Sequence, residues 1–242
     1  MAPKVERTHD LEIYLNEERY RQPKEIFKVL VRRIQETGLL ETGGTLCDVG
    51  CATGEFLYYA RQHFPAARLL GVDVMPQLIA RAREMVPGVE FLVGSVRERD
   101  TLPLHSVEVM VMQGVMSIFD DFETTLDNLL AWTRPGGRIY VFGLVNPWPV
   151  DVWIKIRRSD DPDPEHREPG WNIFSRASIG RFLDERLGAG RHRFTPFEMP
   201  FDLEPHPDDP VRSWTFRDAS GRRRFTNGLC LFLNLEILEI WP

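Results

Sequence analysis

The residues of this chain best able to do chemistry lie in two short stretches. Leu46 to Leu57, LCDVGCATGEFL, places an acid, Asp48, at the end of a strand-like run, then two glycines four apart, Gly50 and Gly54, then a helical pattern. A turn of this kind points backbone amides at a ligand from a helix N-terminus, where unpaired N–H groups and the helix dipole favour an anionic or hydroxyl-bearing group. Alanine stands at position 52, so the GxGxxG spacing that brings a dinucleotide pyrophosphate against the backbone is missing. The turn therefore suits a carboxylate or a ribose better than a bulky diphosphate. Asp73, 23 residues beyond Gly50 in GVDVM, stands where a carboxylate that grips the two hydroxyls of a nucleoside ribose belongs. Cys51 reads as a small loop residue, because nothing near it in sequence supplies the base that would activate a thiol.

Such residues work only if strands and helices hold them in place, and the chain has that pattern. Pro23 to Glu36 carries Ile26, Phe27, Leu30, Val31 and Ile34 at helical spacing. Short apolar runs at 45–49, 68–74, 89–93, 107–112 and 138–144 read as strands. Between them lie helical patterns at 55–64, 76–86 and 122–132. Strands alternating with helices imply right-handed βαβ units and a parallel sheet covered on both faces. Ligands of such sheets sit beyond the carboxyl ends of the strands, where Gly50, Asp73, Ser95 and Gln113 fall. Met110, Met112 and Met116, at strand spacing, read as core rather than as cofactor packing.

The turn at Asp48, Gly50 and Gly54 resembles the D-x-G-x-x-x-G turn of the class I S-adenosylmethionine-dependent methyltransferases, and GVDVM resembles their acidic ribose position. VGSV at 93–96 looks like the segment along the adenine edge, with Ser95 where many members have aspartate, and RPGGRIYVFG at 134–143 looks like the turn into the fifth strand. The resemblance covers residues 45–145 well and the remainder loosely. It implies an α/β, doubly wound, mostly parallel seven-stranded sheet with an antiparallel closing strand, an N-terminal helix and a C-terminal lid and hairpin. It also implies S-adenosyl-L-methionine as cofactor. Its contacts would be Asp48, Gly50, Cys51, Ala52, Gly54, Asp73, Val74, Met75, Ser95, Val96 and Gln113. An N-terminal segment folding over the cleft would add Tyr14, Tyr20 and Lys24.

A single domain is expected, with 1–44 as helical cap, 45–145 as cofactor core and 146–242 as the part that chooses the acceptor. Residues 113–119, QGVMSIF, follow the fourth strand, so Met116 and Phe119 are expected to face the acceptor. They lack the Asn/Asp-Pro-Pro-aromatic pattern that grips a planar amine, which favours an oxygen nucleophile over nitrogen. Asp120 and Asp121 read as a helix start, and no metal is expected. Five prolines between Pro147 and Pro169 mark a lid. Trp148, Trp153, Trp171 and Arg157 are its candidate acceptor contacts and His166 the candidate base. Ser175 reads as the cap of a helix ended by Gly188, Arg193 to Met199 as a sixth strand, Asp218 to Gly221 as a hairpin turn, and Leu231 to Ile240 as a last strand with a polar face at Glu236 and Glu239.

Composition narrows the reading. In 242 residues, 30 Lys plus Arg against 36 Asp plus Glu give a formal charge of −6, which argues against a nucleic-acid partner. Three cysteines without a CxxC pair and the absence of any apolar run of membrane-spanning length point to a reducing cytoplasm and no membrane span. The expected activity is methyl transfer to a small molecule or glycan, most simply at oxygen. The alternatives are an RNA or protein methyltransferase, or a catalytically idle cofactor-binding module. Oligomeric state is left open.

Overall fold

The computed structural model describes residues 11–16, 19–209 and 211–242. Seven strands form the path of the eight-stranded main sheet, and an eighth pairs with the fifth off that path. The seven are β1 (Thr45–Val49), β2 (Arg68–Asp73), β3 (Glu90–Val93), β4 (Val107–Gln113), β5 (Thr133–Asn146), β9 (His192–Pro196) and β12 (Leu235–Ile240), in the order β3-β2-β1-β4-β5-β12-β9. β1 to β5 pair in parallel, and β12 runs antiparallel to both β5 and β9. This is the doubly wound sheet with one reversed closing strand that the sequence led us to expect. The order turns back at β1 and β4, so the carboxyl ends of these two strands flank the natural ligand crevice.

Helices cover both faces. Phe27 of α2 (Glu25–Gln35) meets Phe56 of α3 (Glu55–His63) edge to face at 5.4 Å, within a core that includes Leu46, Val109, Val111 and Tyr140. The opposite face packs Met110, Met112, Ile139 and Leu238 under Leu126, Leu129 and Trp132 of α5 (Glu123–Trp132) and Ile179 and Leu183 of α6 (Arg176–Leu187). Thus Met110 and Met112 are core. α1 (Leu11–Asn16) and α4 (Pro76–Met85) complete the helices. Ser175 caps α6, its hydroxyl accepting from Ser178 N.

Three local expectations need correction. β5 begins at Thr133 rather than Arg138, because residues 134–137 form a bulge opposite Glu108, between the Val107–Thr133 and Val109–Arg138 pairs. Only glycine fits at 137, where a Cβ would stand 2.6 Å from the Glu108 carbonyl oxygen. The last strand starts at Leu235, since 229–234 turns back to bridge Leu233 to Phe225. Its glutamates form no solvated face: Glu236 is 1% and Glu239 6% exposed. Arg176 donates through Nε and Nη2 to Glu236 at 2.8 Å, and Arg193 donates to Glu239 at 2.8 Å.

Between β5 and α6 lie β6 (Lys155–Ile156), β7 (Glu168–Pro169) and β8 (Phe174–Ser175), with β6 and β7 paired as a small lid ribbon. β10 (Trp214–Arg217) and β11 (Arg223–Thr226) form the expected hairpin, its turn held by Asp218. No helix of the described residues is long and apolar enough to cross a membrane.

Because Glu236 is buried and carries two guanidinium hydrogen bonds, Arg176→Ala strands a carboxylate in the sheet. The variant should lose about 2 to 3 kcal/mol in urea unfolding, the worth of hydrogen bonds to a charged group. An unchanged midpoint would show that water replaces the arginine.

Candidate active site

The turn after β1 is built from left-handed residues. Gly50, Ala52 and Gly54 have φ of 74°, 46° and 83°. A Cβ on Gly50 would lie 2.2 Å from Val115 Cγ2, and one on Gly54 2.8 Å from the Phe91 ring. Ala52 adopts its strained conformation because its N–H donates to Asp73 Oδ2 at 2.9 Å, while Gly50 N and Cys51 N both donate to Val72 O at 2.7 and 3.0 Å. The turn is thereby fastened to the end of β2. Tyr20 secures it from outside, its hydroxyl donating to Thr53 O at 2.7 Å.

Asp73 accepts from Met75 N at 2.9 Å through its other oxygen. Burial pushes its pKa up, and the backbone donors Met75, Ala52 and Val74 pull it down. Asp48 lies deeper. Burial, then repulsion from Asp73, holds its carboxyl well above the ordinary range, while a side-chain hydrogen bond from Gln113 favours the anion. Asp48 Oδ1 and Gln113 Oε1 are buried without a hydrogen-bond partner. Gln113 lines the neighbouring cavity, so its orphaned acceptor is one that an N–H-bearing ligand would satisfy.

One cavity of about 410 Å³ runs along the carboxyl ends of the strands. One half is lined by Gly50, Ala52, Asp73, Val74, Met75, Ser95, Val96 and Gln113, with Tyr14 and Lys24 overhanging it. The Lys24 ammonium stands 5.7 Å from the centre of the Tyr14 ring. Asp48, Cys51 and Gly54 support the turn from behind and do not line the cavity, and Tyr20 reaches the turn through Thr53 while its ring packs on Tyr58. The other half is walled by Ser117, Ile118, Phe119, Phe142, Leu144, Ile154 and Trp171, and by Asp209, Val211, Arg212, Ser213, Asn227, Leu229, Leu233 and Leu235 from the C-terminal part.

Several expected acceptor residues lie elsewhere. Met116 is buried in the α5 face of the core, since it belongs to the first turn after β4 that packs inward. Trp148 and Trp153 are 74% and 56% exposed, and Trp153 donates its indole N–H to Asp120 O on the outside of the lid. Arg157 donates to Asp161 O, and Lys155 pairs with Asp120. His166, the expected base, is exposed and bonds Asp161 at 2.5 Å; that carboxylate raises its pKa. None of Trp148, Trp153, Arg157 and His166 lines the cavity. Of the lid tryptophans, Trp171 does reach it.

The lid is fastened by a residue that the sequence did not single out. Asn172, fully buried, donates from its backbone to Ser117 O at 2.7 Å and from its amide to Phe119 O and Asp120 Oδ1 at 2.7 and 3.0 Å. Its oxygen accepts from Ile154 N at 2.8 Å. One side chain therefore ties the lid to the loop after β4. Asparagine in a polar loop gives no pattern that could have announced this. The 209–235 wall was equally silent, being read as a bridge and a hairpin.

Two outcomes follow from this geometry. Gly50→Ala combines a left-handed alanine with a clash on Val115 and should cost about 2 kcal/mol in urea unfolding; in a Val115→Ala background the penalty should shrink, and an equal penalty would remove the clash from the explanation. The Asp48 carboxyl keeps its proton to higher pH in the fold than in the unfolded chain, so folded stability contributed by this group falls as pH rises above 3.8 toward neutrality. Asp48→Asn should flatten that fall and raise the unfolding midpoint at pH 7; a steeper dependence would contradict the buried-acid reading.

Residues 46–137 match the family model described as a methyltransferase domain. Over 98 residues the chain is 32% identical to trans-aconitate 2-methyltransferase of Azoarcus sp. (strain BH72), covering 40% of this chain and 38% of that protein. Over 131 residues it is 31% identical to arsenite methyltransferase of Halobacterium salinarum, covering 50% of this chain and 31% of that protein. The chain thus spans well under half the length of these curated relatives. The fold is similar to an S-adenosylmethionine-dependent methyltransferase from Aquifex aeolicus, with a TM-score of 0.53 at 19% identity over 96% of this chain and 100% of that one. It is also similar to the YcgJ protein of Bacillus subtilis, with a TM-score of 0.55 at 12% identity over 88% and 95%. The domain match, the strand order and the turn at Asp48, Gly50 and Gly54 agree in supporting a class I S-adenosylmethionine-dependent methyltransferase domain over residues 46–137.

Proposed function

We propose that this protein transfers a methyl group from S-adenosylmethionine to an acidic oxygen of a small, largely apolar acceptor. The observation that carries the reading is the continuity of one cavity, from the Asp73 carboxylate and the Gly50–Ala52 turn to the apolar walls of Phe142, Leu144, Leu233 and Leu235. S-adenosylmethionine, when bound, supplies an electrophilic methyl group on a sulfonium sulfur. The residues present fit it: Gly50 leaves no room for a Cβ, and Gln113 Oε1, in the cavity wall, is an acceptor without a donor.

In this reading Asp73 holds the ribose hydroxyls while its backbone donors keep it fixed, and Val74, Met75, Ser95 and Val96 flank the base. Gly50, Ala52 and Gln113 face the amino-acid end, with Asp48 behind them. Tyr14 and Lys24 close over the cleft. Phe119 and Trp171 border the acceptor. Displacement at a sulfonium methyl is in-line, so the chain's task is to hold the nucleophile close and exclude water.

Proton handling sharpens the acceptor class. Among the described residues no histidine lines the cavity, and His166 is turned to solvent. An oxygen that ionises unaided near neutral pH, a carboxylate or an acidic phenol, needs no base. Arg212 in the far wall favours such an anion. The apolar walls favour it over a glycan, and a bounded chamber in a chain of charge −6 favours it over RNA or a protein segment. Arsenite chemistry would call for thiolates, whereas Cys47 and Cys51 are buried and no cysteine lines the cavity.

Asp73→Ala should weaken S-adenosylhomocysteine binding by about 1 to 3 kcal/mol, the worth of charge-assisted hydrogen bonds, and calorimetry reads this directly. Unchanged affinity would refute the ribose role. In a screen of small carboxylic acids and phenols, turnover to S-adenosylhomocysteine should be seen in the wild type and lost in Leu233→Trp, which still binds the product. Failure of every acceptor with binding intact would favour an idle cofactor-binding module.

A further inference from the structure

A second, differently built cleft lies at the opposite rim of the sheet. Arg32 and Arg33 in the last turn of α2, Arg138 near the base of β5 and Arg193 in β9 line it, together with Glu239 and Trp241. Its volume is about 540 Å³. Arg138 pairs with Val109, near the beginning of β4, whereas the methyltransferase residues follow the strands' carboxyl ends. The two clefts therefore do not share residues.

The charges here do not cancel. Four guanidiniums face two carboxylates, Glu239 and Glu36, in a chain whose overall charge is −6. The C-terminal dipole of α2 offsets about half a charge. Glu239 is engaged chiefly by Arg193, at 2.8 Å, while Arg33 Nη1 and Arg138 Nε stand 3.7 and 4.0 Å away, beyond hydrogen-bond reach. Arg138 and Arg193 are both held over the Trp241 ring, at 5.6 and 5.8 Å. Arg33 is steadied by Thr195 at 3.4 Å. Arg32 makes no side-chain hydrogen bond or ion pair among the described residues and is exposed.

A single buried carboxylate calls for one guanidinium. Three converging on it, with a fourth at the rim, form a pre-organised fork of donors suited to a tetrahedral oxyanion. We propose that this cleft binds a small multivalent anion of the phosphate class, such as a phosphorylated small molecule. The acids Glu36 and Glu239 bound the patch on a scale that suits a compact anion, and the chain's net negative charge disfavours an extended polyanion. This inference does not rest on the methyl-transfer reading.

Calorimetric titration of the full chain with sodium pyrophosphate at low salt tests it. One saturable site per chain is expected. Arg32→Gln with Arg193→Gln should weaken it at least about tenfold, and Arg32→Gln alone by several-fold with no structural contact to disturb. Lys28→Gln, removing an exposed cation of the same helix that is not part of the cleft, should leave it unchanged. Three results would each overturn the proposal: no saturable heat up to about 10 mM, equal weakening by Lys28→Gln, or a short oligonucleotide binding where pyrophosphate does not.

Discussion

The arrangement depends first on two adjacent amides sharing one carbonyl. Gly50 N and Cys51 N both donate to Val72 O, and the next amide, Ala52 N, reaches the Asp73 carboxylate. Three consecutive donors can converge on the end of the neighbouring strand only if the chain passes through left-handed backbone, which is why glycine stands at 50 and 54 and why Ala52 carries strain. The same bonds pin the acidic side chain of β2 beside the N-terminus of α3. Everything that lines the first half of the cavity is placed relative to that junction.

The sheet buries four acids and treats them in two ways. Glu236 and Glu239 on the closing strand are each met by arginine, so their charge is answered within the fold. Asp48 and Asp73 are met by amides and by a glutamine, and among the described ion pairs neither has a cation. Burial pushes both upward, and at Asp48 repulsion from Asp73 adds to it. That contrast separates the acids whose charge arginine answers from those held by backbone amides and a glutamine.

Much of this was legible in the residues. The 3.6 and short apolar periods located the strands and helices, since burial dictates them directly, and the D-x-G-x-x-x-G turn with Asp73 located the first half of the cavity. The acceptor half was not legible. Its walls come from residues such as Val211, Asn227 and Leu233, brought in by a hairpin and a returning segment whose tertiary placement no local pattern encodes. The aromatic residues of the lid were conspicuous in sequence, yet Trp148 and Trp153 face outward, because Asn172 fixes the lid with its other side inward. Glu236 and Glu239 misled for a related reason: period-two alternation marks a face as polar, and cannot tell solvent from a partner arginine 60 or 46 residues away in the chain.

The central claim is that the cavity beside Asp73 is a site for S-adenosylmethionine. Titration of the full chain with S-adenosylhomocysteine in a calorimeter, compared with a nicotinamide nucleotide, tests it most directly. The account predicts one molecule of S-adenosylhomocysteine bound per chain and no binding of the nicotinamide nucleotide. Binding of the nicotinamide nucleotide alone, with none of S-adenosylhomocysteine at millimolar concentration, would contradict it.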